Sequence, residues 1–291
     1  MKKLLIIGGN MKRTVYFIEG LPGTGKSTIS KWLDEKTGAK CILESDLNYP
    51  NDLCNVAGIP LDVYNKICCD FPIIPDFIEQ HGMYIYVNIE EVRNCFPNQH
   101  KLLSILSEWD IGDEFNPHMT LSHYIPCSLE FFNNRFTQLE QNYDSIIFDS
   151  VWLQNPINEL LSRNADSETI MKYCSSLAEM LKKFSLSCIY LKRDSADETI
   201  KFASYAKGEG WTARVTELFT KTTYGITHKL EGFNGLIKYF SERAKIEEEI
   251  LSRRIIKCLQ YTVDENNWDK VKELIWEDVK NNRIIQNYTG I

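Results

Sequence analysis

No apolar run in the 291 residues approaches membrane-spanning length, so the sequence offers no transmembrane helix. It also has no Cys-x-x-Cys pair and no Cys/His zinc spacing. Its nine cysteines, at 41, 54, 68, 69, 95, 127, 174, 188 and 258, are odd in number and scattered. That pattern argues against a disulfide framework and reads as buried thiols in a reducing, cytoplasmic compartment. The one adjacent pair, Cys68-Cys69, reads as helix residues near the core. Positive charge falls short as well: 33 Lys and Arg stand against 40 Asp and Glu, a formal charge of -7, and the basic residues are spread along the chain. This leaves no footprint for general nucleic-acid binding. Repeats, low-complexity tracts and linkers are absent too. At this length one α/β domain carrying an insertion is expected, with room for a sizeable core.

What is present is concentrated in Thr14–Asp34. Val15, Tyr16, Phe17 and Ile18 form a buried strand-like run, and Ile29, Trp32 and Leu33 share one face of a following helix. Between them lies Gly20-Leu21-Pro22-Gly23-Thr24-Gly25-Lys26-Ser27-Thr28. Glycines at this spacing let consecutive backbone N–H groups point inward around a polyphosphate. The helix that follows adds its free N–H groups and the positive end of its dipole. Lys26 is placed to reach the outer phosphates, and the Ser27 hydroxyl supplies a Mg²⁺ ligand. A chance glycine-rich turn lacks this strand–loop–helix frame.

The rest of the chain repeats the strand-then-helix rhythm. Gly38 fits a helix end, and Lys40–Glu44 reads as a second strand running into Glu44-Ser45-Asp46. Carboxyl ends of parallel strands face the ligand crevice, so Asp46 is the candidate to orient an acceptor hydroxyl; a turn or N-cap aspartate is the alternative. Residues 47–127 hold seven of the nine prolines, so long helices are not expected there, and the segment reads as a substrate module or cover. Tyr84–Ile89 reads as a short strand or the start of a helix through Cys95. His81, His100, His118 and His123 fall in this segment without metal-like spacing.

Helical period returns in Ser128–Asn142, followed by the apolar run Ser145–Asp149, whose terminal Asp149 is the candidate carboxylate for Mg²⁺. Ser167–Phe184 is an amphipathic helix, and Ser187–Leu191 a fourth strand. Residues 193–231 then read as a lid whose Arg193, Lys207 and Arg214 are candidates to neutralise charge over the phosphates, or else are solvated helix residues. Phe233, Leu236, Ile237, Phe240 and Ala244 mark one face of a long helix, Ile255–Val263 a fifth strand, and Asp269–Lys280 a last helix. Five such strands alternating with helices imply a parallel sheet covered on both faces.

GLPGTGKST at 20–28, ESD at 44–46 and Lys192-Arg193 together resemble the P-loop small-molecule and nucleotide kinases, a group that includes shikimate, gluconate and adenylate kinases. The resemblance implies a three-layer α/β/α fold with sheet order 2-3-1-4-5, an insertion after strand 2, a helical lid after strand 4, and Mg-ATP as phosphoryl donor. From Met11 onward the chain is also similar to a family of bacterial P-loop proteins through FIEGLPGTGKST, LESDLNYPND, SVWLQNP at 150–156 and GFNGLIKYF at 232–240. That family supplies no substrate.

The leading reading is therefore a phosphotransferase from ATP to a hydroxyl of a small molecule. Lys26, Asp46, Arg193 and Arg214 would be its catalytic residues, and Ser27 and Asp149 its Mg²⁺ ligands. A nucleotide-binding sensor or resistance protein with little or no transfer is the runner-up, and a polynucleotide end kinase a third reading. A guanine-reading Asn-Lys-x-Asp is missing, since Asn266-Asn267-Trp268-Asp269 lacks the lysine, which argues against a regulatory GTPase. The length argues against a ring-forming mechanical ATPase. The acceptor and the oligomeric state are not written in these residues. MKKLLIIGGN at 1–10 has a four-residue apolar core and no cleavage site, unlike a signal peptide, and its Ile7-Gly8-Gly9-Asn10 reads as a translated purine-rich ribosome-binding site ahead of a true start at Met11. Mass spectrometry of the native protein is expected to show no peptide from residues 2–10; finding one overturns that start.

Overall fold

A computed structural model of the protein describes residues 13–46, 49–74, 78–80 and 82–288. The segment 1–10, the start at Met11 and His81 lie outside them. The chain opens with β1 (Thr14–Gly20), α1 (Lys26–Thr37) and β2 (Lys40–Ile42). Next come β3 (Val56–Pro60), α2 (Leu61–Asp70), β4 (Ile78–Gln80), β5 (Tyr84–Asn88), α3 (Ile89–Cys95) and α4 (His100–Glu108). The middle holds α5 (Leu121–Asn142), β6 (Ser145–Asp149), α6 (Gln154–Ser162), α7 (Ser167–Met180) and β7 (Ser185–Lys192). The last third is α8 (Ala196–Lys207), α9 (Glu209–Lys221), α10 (Thr223–Thr227), α11 (Gly232–Ser252), β8 (Lys257–Thr262) and α12 (Trp268–Tyr288).

Five strands form one parallel sheet in the order β2-β6-β1-β7-β8. Counted along the chain within this sheet, that order is 2-3-1-4-5. Because side chains alternate along a strand, each strand contributes to two cores. Val15, Phe17, Ile146, Phe148, Cys188 and Tyr190 face the layer that contains α5, α6, α7 and α11. Tyr16, Ile18, Ile147, Ile189 and Leu191 face α1 and α12, meeting Ile29, Leu33, Val271 and Ile275. Burial on both faces explains why these strands are continuous apolar runs rather than alternating ones.

Parallel pairing brings the carboxyl ends of the strands to one edge. Ile18 pairs with Asp149 and Gly20 with Leu191, so the phosphate loop leaves the sheet between the ends of β6 and β7. The segment after β2 builds a separate antiparallel sheet, β3-β5-β4, with its own core of Ala57, Ile59, Ile85, Val87, Leu102 and Leu106. Tyr84–Asn88 is the strand, and the helix follows it directly, Asn88 capping α3 by accepting from the Glu91 N–H.

Several elements differ from the sequence reading. Although the proline-rich segment was not expected to hold a long helix, α5 starts at Leu121 and runs 22 residues with Pro126 inside it. A boundary at 127 therefore falls within a helix. The bond that Pro126 forgoes would have used the carbonyl of Ser122, which lies in the exposed first turn, open to solvent. α7 stops at Met180, and Leu181–Phe184 turn back into β7. The inward face of α11 is Leu236, Tyr239, Phe240, Arg243, Ile246, Glu247 and Ile250, rotated from the apolar stripe and including two charges.

The small sheet meets the main core at Gly58, where an added Cβ would lie 2.2 Å from Cys127 Sγ and 2.6 Å from Ile111 Cδ1. Gly58→Ala is expected to destabilise the protein by about 1–3 kcal/mol through overpacking. A denaturant midpoint equal to wild type would show that this junction is loosely packed.

Candidate functional site

The loop between β1 and α1 is held in shape by one carbonyl. Leu21 O accepts from Thr24 Oγ1 at 2.8 Å and from Lys26 Nζ at 3.1 Å. Gly23 and Gly25 both have φ of 84°, in the left-handed region that favours glycine. Gly25 is also the N-cap of α1, and no side chain caps that helix start. The first-turn N–H groups of α1 are thus left to a ligand at the loop. Lys26 is only 8% exposed. Burial pulls its ammonium below the ordinary lysine value, and the nearby Asp149 carboxylate is the largest opposing influence.

Asp149 ends β6 beside the loop. Its Oδ2 accepts from Ser27 Oγ at 2.6 Å and its Oδ1 from Ser150 Oγ at 2.8 Å. A hydroxyl and a carboxylate side by side form a set of hard oxygen donors, the chemistry that Mg²⁺ takes. Pro22 is half-buried along the loop, and Thr28 is exposed on the first turn of α1. Among the described residues no group of three or more His, Cys, Asp and Glu is arranged to hold a metal. His100 and His118 are exposed, whereas His123 bonds Gly58 O through Nε2 at 2.8 Å and meets the Tyr84 and Trp109 rings edge-on. His123 is a packing histidine.

After β2, Asp46 turns one oxygen back on its own turn, with Oδ2 accepting from the Leu43 N–H at 2.9 Å. Glu44 is exposed and held by Gln154 Nε2 at 3.1 Å. Two acids therefore stand at this strand end. Across from them, Tyr49 donates to Asp149 O at 2.9 Å and accepts from Asn155 Nδ2 at 2.8 Å, and Asn51 Nδ2 donates to Val151 O at 2.9 Å. These contacts dock the start of the insertion on the end of β6.

On the other side, a cleft of about 280 Å³ opens beside the loop, lined by Leu21, Thr24, Arg193, Asp194, Ser195 and Thr262 among others. The Arg193 guanidinium stacks on the Phe202 ring at 3.5 Å, and its buried Nε has no hydrogen-bond partner among the described residues. Arg214 is exposed on α9, and Lys207 is exposed and lies over the Trp211 ring. Of the three lid candidates, only Arg193 lines the cleft.

The sequence reading missed the layer beneath the loop. Glu19 is fully buried, and its carboxylate accepts from the backbone N–H groups of Trp152 at 2.7 Å, Leu153 at 3.1 Å and Gln154 at 3.0 Å, capping the start of α6. Arg243 and Glu247, both inaccessible to solvent, pair at 2.7 Å below it. The available signals were an acid ending the apolar run VYFIE, and an Arg and a Glu four apart on the inward face of α11.

The chain matches no protein-family model and no curated protein. Among solved structures it is similar to a deoxyadenosine kinase from M. mycoides with dCMP and a flexible dCDP bound: 16% identity, TM-score 0.40, covering 92% of this chain and 99% of that one. The same kinase with bound dATP gives 16% identity and TM-score 0.38, covering 91% and 99%. Thymidylate kinase from Candida albicans gives 15% identity and TM-score 0.43, covering 94% and 93%. Likeness at this level carries nothing about chemistry. The five-stranded parallel sheet with helices on both faces is evident from the strand pairing itself.

Burial pushes Glu19 from the ordinary 4.5 up to about 7, its three N–H partners opposing the shift and the Glu247 charge adding to it. The folded protein thus holds this proton more tightly than the unfolded chain does. Glu19's contribution to stability is complete below its unfolded value and is lost as pH rises through about 7. Wild type is expected to lose stability relative to Glu19→Gln as pH rises from about 5 to about 8. Urea midpoints measured across that range check this, and parallel curves would show a carboxylate charged throughout.

Proposed function

We propose that this protein transfers a phosphoryl group from Mg-ATP to a hydroxyl of a small molecule that itself carries no anionic group. The single observation that carries the reading is the loop: a buried ammonium, Lys26, beside an uncapped helix start, with Ser27 and Asp149 paired at 2.6 Å at its edge. Polyphosphate fits the first two features, and Mg²⁺ fits the oxygen pair. When bound, Mg²⁺ would neutralise charge on the phosphates. Lys26 and the loop N–H groups would bind and orient the outer phosphates, and Arg193 would approach from the cleft. Asp46 would align the acceptor hydroxyl and accept its proton, with Glu44 as the neighbouring acid able to share that task. Catalysis of this kind is mainly positioning and electrostatics.

Charge supports the restriction on the acceptor. Residues 47–127 carry eleven Asp and Glu but only Lys66, Arg93 and Lys101, all exposed on α2, α3 and α4. On the core side of the crevice lined by Asn51, Tyr124, Asn155 and Glu159, the nearby cation Arg163 is already neutralised by Glu159 at 2.6 Å. A phosphorylated acceptor would bring its charge toward Glu44, Asp46 and Asp149. Each like-charge contact near 4 Å in such a setting costs about 4 kcal/mol.

The test is ³¹P NMR of the protein with Mg-ATP and paired acceptors, each hydroxyl compound beside its phosphate monoester, run with Lys26→Ala. A new phosphoester from the unphosphorylated partner, lost in Lys26→Ala, is the expected result. Product from the monoesters alone overturns the charge restriction, and tight ligand binding with no product favours a sensor. Asp149→Asn is expected to raise the Mg²⁺ concentration for half-maximal turnover several-fold, and Asp46→Asn to slow transfer while sparing ATP binding. An unchanged rate for Asp46→Asn with a slowed Glu44→Gln would move the hydroxyl-aligning role to Glu44.

A further inference from the structure

Among the described residues, the guanidinium of Arg243 is the cation that touches the phosphate loop from beneath. Its Nη2 donates to Gly20 O at 3.2 Å, the carbonyl from which the loop departs, and to Gln154 Oε1 at 3.4 Å. Nη1 reaches Asn158 Oδ1 at 3.3 Å, and Nε donates to Glu247 Oε1 at 2.8 Å. Glu247 is fixed in turn by Tyr190, whose hydroxyl donates to Oε2 at 2.5 Å. Gln154, its carbonyl end occupied by Arg243, presents its amide N–H to Glu44. One buried fork thus joins the start of the loop, the first turn of α6 and the acid after β2.

The same C-terminal third of the chain grips the loop from other sides. A Cβ on Gly23 would lie 2.8 Å from Ala203 Cβ of α8, and one on Gly25 would lie 2.2 Å from the Trp268 ring at the start of α12. α8 and α9 pack along α11, which carries Arg243. We propose that Arg243 is a positioning residue: it sets the geometry of the phosphate loop and ties that geometry to the helices following β7. Charge alone does not meet this requirement. A lysine ammonium keeps the pairing with Glu247 but lacks the planar fork that reaches Gly20 O, Gln154 and Asn158 together. The inference concerns the shape of the loop and holds whether or not its ligand is later transferred.

The test compares wild type with Arg243→Lys and with the double variant Arg243→Met/Glu247→Gln, which leaves no unpaired buried charge. Hydrogen exchange is followed in the nucleotide-free protein, and affinity for a fluorescent ATP analogue is titrated. Both variants are expected to exchange the amides of Leu21, Gly23, Thr24 and Gly25 roughly tenfold faster while β1, β7 and α11 keep wild-type rates, and to bind the analogue roughly tenfold more weakly. Loop exchange at the wild-type rate overturns the proposal. So does acceleration shared equally by β1 and α11, or failure of the double variant to fold, since either marks the pair as core packing alone. Failure of wild type to bind the analogue counts against the nucleotide reading and leaves the exchange comparison to decide this one.

Discussion

Five charged side chains share the dry space around the phosphate loop: Glu19, Lys26, Asp149, Arg243 and Glu247, none more than 8% exposed. Removing isolated charges from water costs several kcal/mol each, so such a group persists only through mutual neutralisation and complete hydrogen bonding. Three carboxyl groups face two cations, and burial, which pushes Glu19 up to about 7, disfavours its charge and so lessens the excess. The partners come from β1, α1, β6 and α11, which must converge for the charges to pair. The polar layer therefore specifies how these elements meet at the loop, while the apolar cores supply the stability.

That arrangement divides the site into two sides of different character. Toward β7 and β8, the cleft carries Arg193, an arginine stacked on an aromatic ring with an N–H to spare. Toward the insertion, the groups are carboxylates, amides and the Tyr49 hydroxyl, and the nearby guanidinium of Arg163 is already committed to Glu159. The first side sets Lys192 and Arg193 among Asp194 and Glu248, whereas the second gathers Glu44, Asp46 and Asp149. The negative side draws its charge from Glu44, Asp46 and Asp149 at the strand ends, all of them outside residues 47–127.

The insertion and the helices after β7 serve the loop in different ways. The insertion has a core of its own and also joins the main core through Tyr49, Leu53, Tyr84, Tyr86 and Ile111, with Tyr49 and Asn51 bonding the chain at the end of β6. The helices after β7 share the main core and touch the loop directly at Gly23, with Arg243 below. A shift of α8 or α11 is felt at the loop at once, because interiors packed this closely transmit displacement.

The amino-acid sequence alone determined the loop, the five core strands and the parallel sheet, because these depend on local pattern: runs buried on both faces, helices at period 3.6, glycines where the backbone turns left-handed. Asp149 was legible as the acid ending such a run, though not its bond to Ser27. Tertiary structure decided what depends on convergence from distant segments. Glu19, Gln154, Arg243 and Glu247 lie far apart along the chain and read singly as ordinary polar residues; only packing α6 and α11 on the face of β1 makes them one buried network. Arg193 and Arg214 looked equivalent as lid cations until the helices placed the first on the cleft and the second in solvent. The Pro126 helix illustrates the same limit, since propensity stops a helix at proline, but burial of Cys127, Phe131 and Phe132 against the main core carries it through.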